Sequence, residues 1–352
     1  MKENTRPFYS IVIPCYNSKP EHMQKLLTSI EAQNMNDDIE IIISNDRSTE
    51  TEFLDIVKSF TDLNITITEV PDNEEFIHCP GNTREVGVAL ATGEWLTFVD
   101  HDDELIPNTL KDIKDAIIKN NLEYIVSCNF YEVDPLDNDR ILNEFVHTGN
   151  WMHAKFYNLD NFWRAKNFHF KHNMKTHEDI YISSKTKCEL DRLGMYSPNF
   201  VEIFCLKWNA WKDSTSRVLC DKENFLERYF NDYAESTIGY YLDDYIWSVN
   251  ELKDESDENI SNHIYSCVEV IMYMYFYIQG FRYKNPAGYK LENEILAKKY
   301  IRAFCEVFKC DVNLIYAWAL SNDTYWYNAV RKSANIGVGQ FMESYTFYAF
   351  LS

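Results

Sequence analysis

Closely paired cysteines are missing from this chain: its nine cysteines are scattered over 352 residues with no C-x-x-C. An odd, dispersed set of thiols is the pattern of a reduced protein with buried cysteines. It excludes a disulfide framework and a thiolate zinc site. Positive charge is scarce as well, with 34 Lys and Arg against 55 Asp and Glu, a formal net charge of −21. That balance excludes a broad basic face for nucleic acid or an anionic membrane. It leaves room for a small anionic ligand, which one cation and a few local bases can hold. The first residues, Met1 to Pro7, lack an apolar stretch, so no signal peptide is expected. The only long apolar run, Ile264 to Phe281, is interrupted by Glu269 and Gln279 and is barely long enough to span a bilayer. It reads as a buried helix, and a cytoplasmic protein without a transmembrane segment is expected. Asn17 is followed by Ser18-Lys19-Pro20, with no glycine-rich phosphate loop, which counts against a nucleotidyltransferase. No internal repeat or low-complexity linker is visible.

What is present is material for a core: 45% of residues are hydrophobic and 15% aromatic, enough for one large domain or two smaller ones. The first part alternates strands and helices. Tyr9–Pro14, Ile39–Ser44, Ile65–Val70 and Trp95–Val99 read as strands, with Pro14 ending the first. Glu21–Gln33, Thr51–Phe60 and Asn82–Ala91 read as helices between them, the signature of a parallel sheet with crossover helices. A helix over Leu110–Asn120, a strand over Tyr124–Val133 and a turn at Pro135–Asp139 follow. Helices over Asn158–Lys166 and His177–Lys187 and a β-prone run over Tyr196–Trp208 complete this part. Near Cys220 the composition changes to a helical, aromatic, Gly- and Pro-poor stretch. The expected organisation is an α/β domain over 1–219 and an all-helical domain over 220–352.

The most informative stretch is Gly93-Glu94-Trp95-Leu96-Thr97-Phe98-Val99-Asp100-His101-Asp102-Asp103-Glu104-Leu105. A short apolar strand ends in three aspartates within four positions. Like charges this close repel and raise one another's proton affinity unless a cation neutralises them. Oxygen ligands at a strand end suit Mg²⁺ or Mn²⁺, and the crevice beyond strand carboxyl ends is where open α/β sheets bind ligands. A solvated acidic turn is the other reading of the same residues.

Five further segments could share that crevice. Pro14, Tyr16 and Asn17 follow the first strand and Asn45-Asp46-Arg47-Ser48-Thr49 the second. Asp46 could accept from a nucleobase N–H and Tyr16 could stack on the base, or both segments are ordinary turns. Gly81-Asn82-Thr83-Arg84-Glu85 opens a helix. Arg84 could meet a phosphate or base there, or pair with Glu85 or Asp103. Glu178 and Asp179 start another helix, either as capping acids or with one as a general base. The loop from Lys207 to Arg217 gathers Lys207, Lys212 and Arg217, and either closes over a diphosphate or links two domains.

In this order the segments Ser10–Asn17, Asn45–Thr49, Gly81–Gly87, Gly93–Leu105 and Glu178–Asp179 resemble glycosyltransferase family 2, whose fold is the GT-A Rossmann-like mixed sheet flanked by helices. The aspartate run resembles that family's DXD element. The resemblance implies a metal-dependent inverting transferase that moves a hexosyl or N-acetylhexosaminyl group from a UDP-sugar. The acceptor would be a hydroxyl of a glycan or other cell-surface polymer, met at the inner face of the membrane. It implies a nucleotide site from Pro14, Tyr16, Asn17 and Asp46 with Arg84 beside it. Asp100 would lie at the ribose or metal, Asp102 would hold Mn²⁺ or Mg²⁺ against the diphosphate, and Asp179 rather than Glu178 would be the base. Where the family often has a His in the later loop, this chain has Trp211 and Lys212.

A non-catalytic sugar-binding protein on the same fold is the third class, against which the intact Asp100, Asp102, Asp103 and Asp179 argue. Trp151, Phe156, Trp163 and Phe168 either stack on a glycan acceptor or fill the core. The aromatic C-terminal stretch is expected to serve acceptor binding or homo-oligomer formation.

Overall fold

A computed structural model describes residues 6–148, 152–170, 172–173, 178–195 and 197–211, and isolated positions between 291 and 302. The chain divides into two compact units, Met1–Trp211 and Lys212–Ser352, and all elements with described bounds lie in the first. The expected helical domain over 220–352 and the apolar run Ile264–Phe281 fall outside the described residues, save Leu291, Glu294, Ile295, Lys298 and Arg302, which are helical. Among the described residues no helix is long and apolar enough to cross a membrane.

The strands β1 (Tyr9–Cys15), β2 (Ile39–Asn45), β3 (Ile65–Glu69) and β4 (Trp95–Phe98) pair in parallel in the order β3-β2-β1-β4. Their crossovers are α1 (Pro20–Glu31), α2 (Phe53–Ser59) and α3 (Pro80–Val88). β1 is buried along its whole length, as a continuous apolar run in a two-sided parallel sheet should be. α1 and α3 both start on a proline, whose missing N–H is one that a first helical turn leaves unpaired anyway.

Beyond β4 the sheet changes direction. β5 (Glu104–Leu105) and α4 (Thr109–Asn120) lead to β6 (Ile125–Asp134), which turns through Pro135–Asp139 into β7 (Arg140–Phe145). β8 (Lys155–Asn158), a π-helical turn (Leu159–Arg164), α5 (Glu178–Arg192) and β9 (Asn199–Asn209) follow. Among the described residues the sheet has nine strands in the order β3-β2-β1-β4-β8-β6-β9-β5, with β7 paired to β6. β8 runs antiparallel between β4 and β6, so the sheet is mixed, in agreement with the expected class.

Several boundaries differ from expectation for physical reasons. Pro14 does not end β1, which continues to Cys15. Val12 accepts from the Val99 N–H, so the polar groups of the even-numbered residues face β4, whose ladder stops at Val12. Pro14 therefore lacks an N–H on a side where no partner strand remains. β5, β7 and β8 were not expected. Each is six residues or fewer, and β7 is largely exposed. Phe156, Trp163 and Phe168 are buried, so they fill the core and do not stack on an acceptor; Trp151 lies outside the described residues. The four described cysteines, Cys15, Cys79, Cys128 and Cys205, are free and buried.

Candidate active site

The carboxyl ends of β1, β2 and β4 open on one edge of the sheet, and the expected residues follow each of them. Tyr16 is half exposed and packs against His78 with ring centroids 5.1 Å apart. Asn17 adopts a left-handed backbone (φ 46°), and its side-chain oxygen accepts from the N–H groups of Thr49, at 2.8 Å, and Glu50, at 3.1 Å. It thus fastens the β1 loop to the β2 loop. Asp46 is buried, accepts from the Cys79 N–H at 3.1 Å and lies 2.9 Å from Arg47 Nη2. That contact ties the second strand end to the start of α3. Pro14, Tyr16, Asn17 and Asp46 therefore belong to one cradle built from three segments.

Arg84 does not pair with Glu85 or Asp103. Its Nη2 lies 2.6 Å from Asp100 and its Nη1 2.5 Å from Glu178, while Glu85 accepts from the Phe170 N–H. The guanidinium is buried; desolvation works to lower its pKa, but Asp100 and Glu178 outweigh that and raise it, so it stays charged. Arg84 thus links the strand-end aspartates to the Glu178-Asp179 pair across 94 residues of sequence. Asp179 sits beside Glu178 at the start of α5 and is partly exposed.

The aspartate turn is held from β9. The Asn209 N–H donates to Asp103 at 2.9 Å, and the Asp102 carbonyl accepts from Asn209 Nδ2 at 2.7 Å and Trp211 Nε1 at 3.2 Å. Trp211 in turn stacks on His22 of α1, centroids 4.3 Å apart. Lys207, Trp208 and Asn209 of the expected basic loop are strand residues of β9, and Lys207 is bound to Asp139 at 2.6 Å; Lys212 to Arg217 lie outside the described residues.

One ligand atom each of Asp100, Asp103 and His153 lie within 4.8 Å of one another. His153 Nε2 stands 3.9 Å from both carboxylates. The Asp103 Oδ2 is buried with no hydrogen-bond partner. An orphaned carboxylate oxygen facing a second carboxylate and an imidazole fits a divalent cation. Burial works to raise the Asp100 carboxyl, but Arg84 and His153 outweigh it and hold Asp100 below its ordinary range. Burial, then the charges of Asp102 and Asp100, push Asp103 well above it. Burial also pushes the His153 imidazole down to about 4, so near neutrality it can offer a lone pair. Asp102, the expected ligand, lies in the same turn, though its carboxylate is not among the three converging groups. His153 escaped sequence reasoning because a single His before a short strand carries no periodic or spacing signal.

Residues 10–179 match the family model for glycosyl transferase family 2. That segment belongs to glycosyltransferase family 2. Over 105 residues the chain is 31% identical to a poly(ribitol-phosphate) beta-N-acetylglucosaminyltransferase, TarS, of Staphylococcus aureus, a match covering 30% of this chain and 18% of that protein. Over 97 residues it is 37% identical to a poly(ribitol-phosphate) beta-glucosyltransferase of Bacillus spizizenii, covering 27% of this chain and 14% of that one. The chain thus spans less than a fifth of the length of either relative. In fold it resembles the crystal structure of S. aureus TarS 1–349 in complex with UDP-GlcNAc, with TM-score 0.61, 18% identity and coverage of 97% of this chain and 91% of that one. The family 2 segment contains every expected site residue, from Pro14 to Asp179.

Proposed function

We propose that this chain is an inverting glycosyltransferase that moves a hexosyl or N-acetylhexosaminyl group from a UDP-sugar to a hydroxyl of a glycan or other polymer. The observation that carries the reading is Arg84, whose two contacts bring Asp100 and the Glu178-Asp179 pair to one crevice. Membership of the family 2 segment and the TarS-like fold support it.

In this reading Pro14, Tyr16, Asn17 and Asp46 seat the nucleotide. Asp100, Asp102, Asp103 and His153 hold a Mn²⁺ or Mg²⁺ ion, which when bound supplies Lewis-acid stabilisation of the leaving diphosphate. Arg84 keeps Asp100 ionised and fixes Glu178. Asp179 takes the proton of the acceptor hydroxyl as its oxygen bonds to the anomeric carbon and the carbon–oxygen bond to the diphosphate breaks. Displacement from the face opposite the leaving group inverts that carbon.

The test is release of uridine diphosphate from UDP-glucose and UDP-GlcNAc, with Mn²⁺ and with EDTA. Release that requires the cation and a hydroxyl acceptor is the expected outcome. A chain that binds these donors and never releases the diphosphate would be a sugar-binding protein on this fold.

A further inference from the structure

We propose that Asn173 is a positioning residue for the donor nucleobase: it fixes the loop ahead of α3, and through that loop sets His78 and Cys79 against Asp46. This deepens the glycosyl-transfer reading and rests on it for the identity of the donor. The contacts themselves are independent of that reading.

The loop needs an outside hold. Residues 70–79, between β3 and α3, form neither helix nor strand, and those from Pro71 to Glu75 are exposed. Such a segment has few contacts of its own to define it. Yet its last two residues touch the cradle. His78 Nδ1 lies 3.3 Å from Asp46 Oδ1 and its ring packs on Tyr16, while the Cys79 N–H donates to Asp46 Oδ2. Where the loop sits therefore decides how Asp46 is presented to a nucleobase.

Two side chains supply the hold. Arg47, just past the end of β2, donates to the Phe76 carbonyl at 3.0 Å. Asn173 takes the neighbouring positions. Its Nδ2 donates to the Glu75 carbonyl at 2.9 Å, and its Oδ1 accepts from the Ile77 N–H at 3.1 Å. One side chain thus grips the backbone on both sides of Phe76. The same Oδ1 accepts from Asn82 Nδ2 at 2.8 Å, and the Asn173 N–H donates to Asn82 Oδ1 at 2.9 Å. Asn82 is buried in the first turn of α3 and also donates to the Ile77 carbonyl at 3.0 Å. The two amides therefore enclose Ile77, holding its N–H and its carbonyl. His172 adds an edge contact to Phe76, ring centroids 4.9 Å apart.

The residue type is matched to the task. Asn173 has a left-handed backbone (φ 59°), which Asn tolerates better than most residues other than glycine. Holding a carbonyl and an N–H at once takes a group that both donates and accepts, as an amide does and an ionised carboxylate cannot. Asn173 also stands shortly ahead of Glu178, the partner of Arg84. The clamp thus ties the proposed nucleotide cradle to the segment that leads into the proposed base.

The test is calorimetry of the full chain with UDP and with CDP, both with Mn²⁺. Uracil offers an N3–H to a carboxylate, which only accepts, and cytosine does not. The ratio of the two affinities therefore reads the nucleobase seat and not the diphosphate. Wild type should favour UDP. Asn173→Gly keeps the backbone geometry and removes the amide. It should lower the UDP/CDP affinity ratio about tenfold, the worth of one hydrogen bond to a charged group. Asn173→Asp keeps both acceptor bonds and should fall between the two; it carries the test if the glycine variant does not fold. With Asp46→Ala in place, Asn173→Gly should move the ratio less than about twofold. A wild-type preference for UDP that the folded variants retain overturns the positioning role alone. So does equal weakening of UDP and CDP, which is what a merely loosened fold produces, or an undiminished effect of Asn173→Gly on top of Asp46→Ala. Wild type that binds neither nucleotide, or CDP as well as UDP, overturns this proposal together with the UDP-sugar reading.

Discussion

Glu178 points one carboxylate oxygen at Arg84 Nη1, 2.5 Å away, with both side chains buried. Its neighbour Asp179 is partly exposed at the same helix start. The two acids of the pair thereby differ: Glu178 holds the guanidinium, and Asp179 is the proposed base. Asp179→Asn should leave UDP binding intact and lower turnover about 10²-fold or more, since it keeps size and removes the proton acceptor. Glu178→Gln should instead cost about 1–3 kcal/mol of stability with a smaller loss of rate. Urea titration beside steady-state rates separates the two. Normal turnover in a folded Asp179→Asn would move the base to Glu178.

Arg84→Ala leaves two carboxylates facing each other without their cation. Removing one partner of a buried ion pair costs roughly 3–5 kcal/mol, so this variant should be among the least stable single substitutions in the sheet. Thermal melts should show the loss, and Arg84→Lys should recover only part of it, because an ammonium cannot serve both acids with the same fork.

Cation binding should expel a proton. Asp103 has a raised pKa, through burial and then its aspartate neighbours, and must ionise to act as a ligand. Mn²⁺ affinity should therefore rise with pH, and the calorimetric enthalpy should depend on the ionisation enthalpy of the buffer. Asp103→Asn should abolish that buffer dependence. Calorimetry with UDP should show weaker binding in EDTA, and Asp102→Ala should weaken the diphosphate complex further.

His153 should shape the acid limb of stability when EDTA is present. Its folded pKa is about 4, below the ordinary 6.5, because of burial. The unfolded chain then binds the extra proton first, so stability is full above about 6.5 and is lost as pH falls towards 4. The shift corresponds to at most about 3 kcal/mol. Asp103, with its raised pKa, acts in the opposite sense over part of that window. The pH dependence of the difference between wild type and His153→Phe, measured by urea titration at each pH, isolates the imidazole, and the difference should level off to a constant above neutrality.

Gly93→Ala should destabilise by about 3 kcal/mol. A methyl there would stand 2.7 Å from the Ser10 backbone nitrogen and 2.8 Å from the Tyr9 carbonyl carbon, atoms of the central strand that cannot yield. The strand carrying the aspartates approaches β1 this closely only because position 93 has no side chain.

The first half of the sheet was legible because buried parallel strands are continuous apolar runs and their crossovers are amphipathic. β1, β2, β3 and β4 lie within a residue or so of where the apolar runs put them. The later strands were harder. β7 is an exposed six-residue strand without alternation, and β8 has only four residues. At the site, the acids and Arg84 stood out as charge at strand and helix ends, but their pairing did not. Whether Arg84 meets Glu85, Asp103 or Glu178 depends on a contact 94 residues away, which local pattern cannot encode. His153 was hidden for the same reason, since it meets Asp100 and Asp103 only in the folded sheet.

The buried thiols provide a clock for the proposed nucleotide cradle. Cys15 ends β1 and Cys79 precedes α3, on either side of Asp46. Burial pushes Cys15 up to about 12 and Cys79 up to about 11, so at pH 8 neither is an appreciable thiolate. A maleimide can react with them only when the cradle opens. Its labelling rate, followed cysteine by cysteine by mass spectrometry, thus measures the opening frequency at the β1 and α3 ends separately. A ligand that closes the cradle will slow both clocks together, while the thiols of Cys128 and Cys205 keep time for the other end of the sheet.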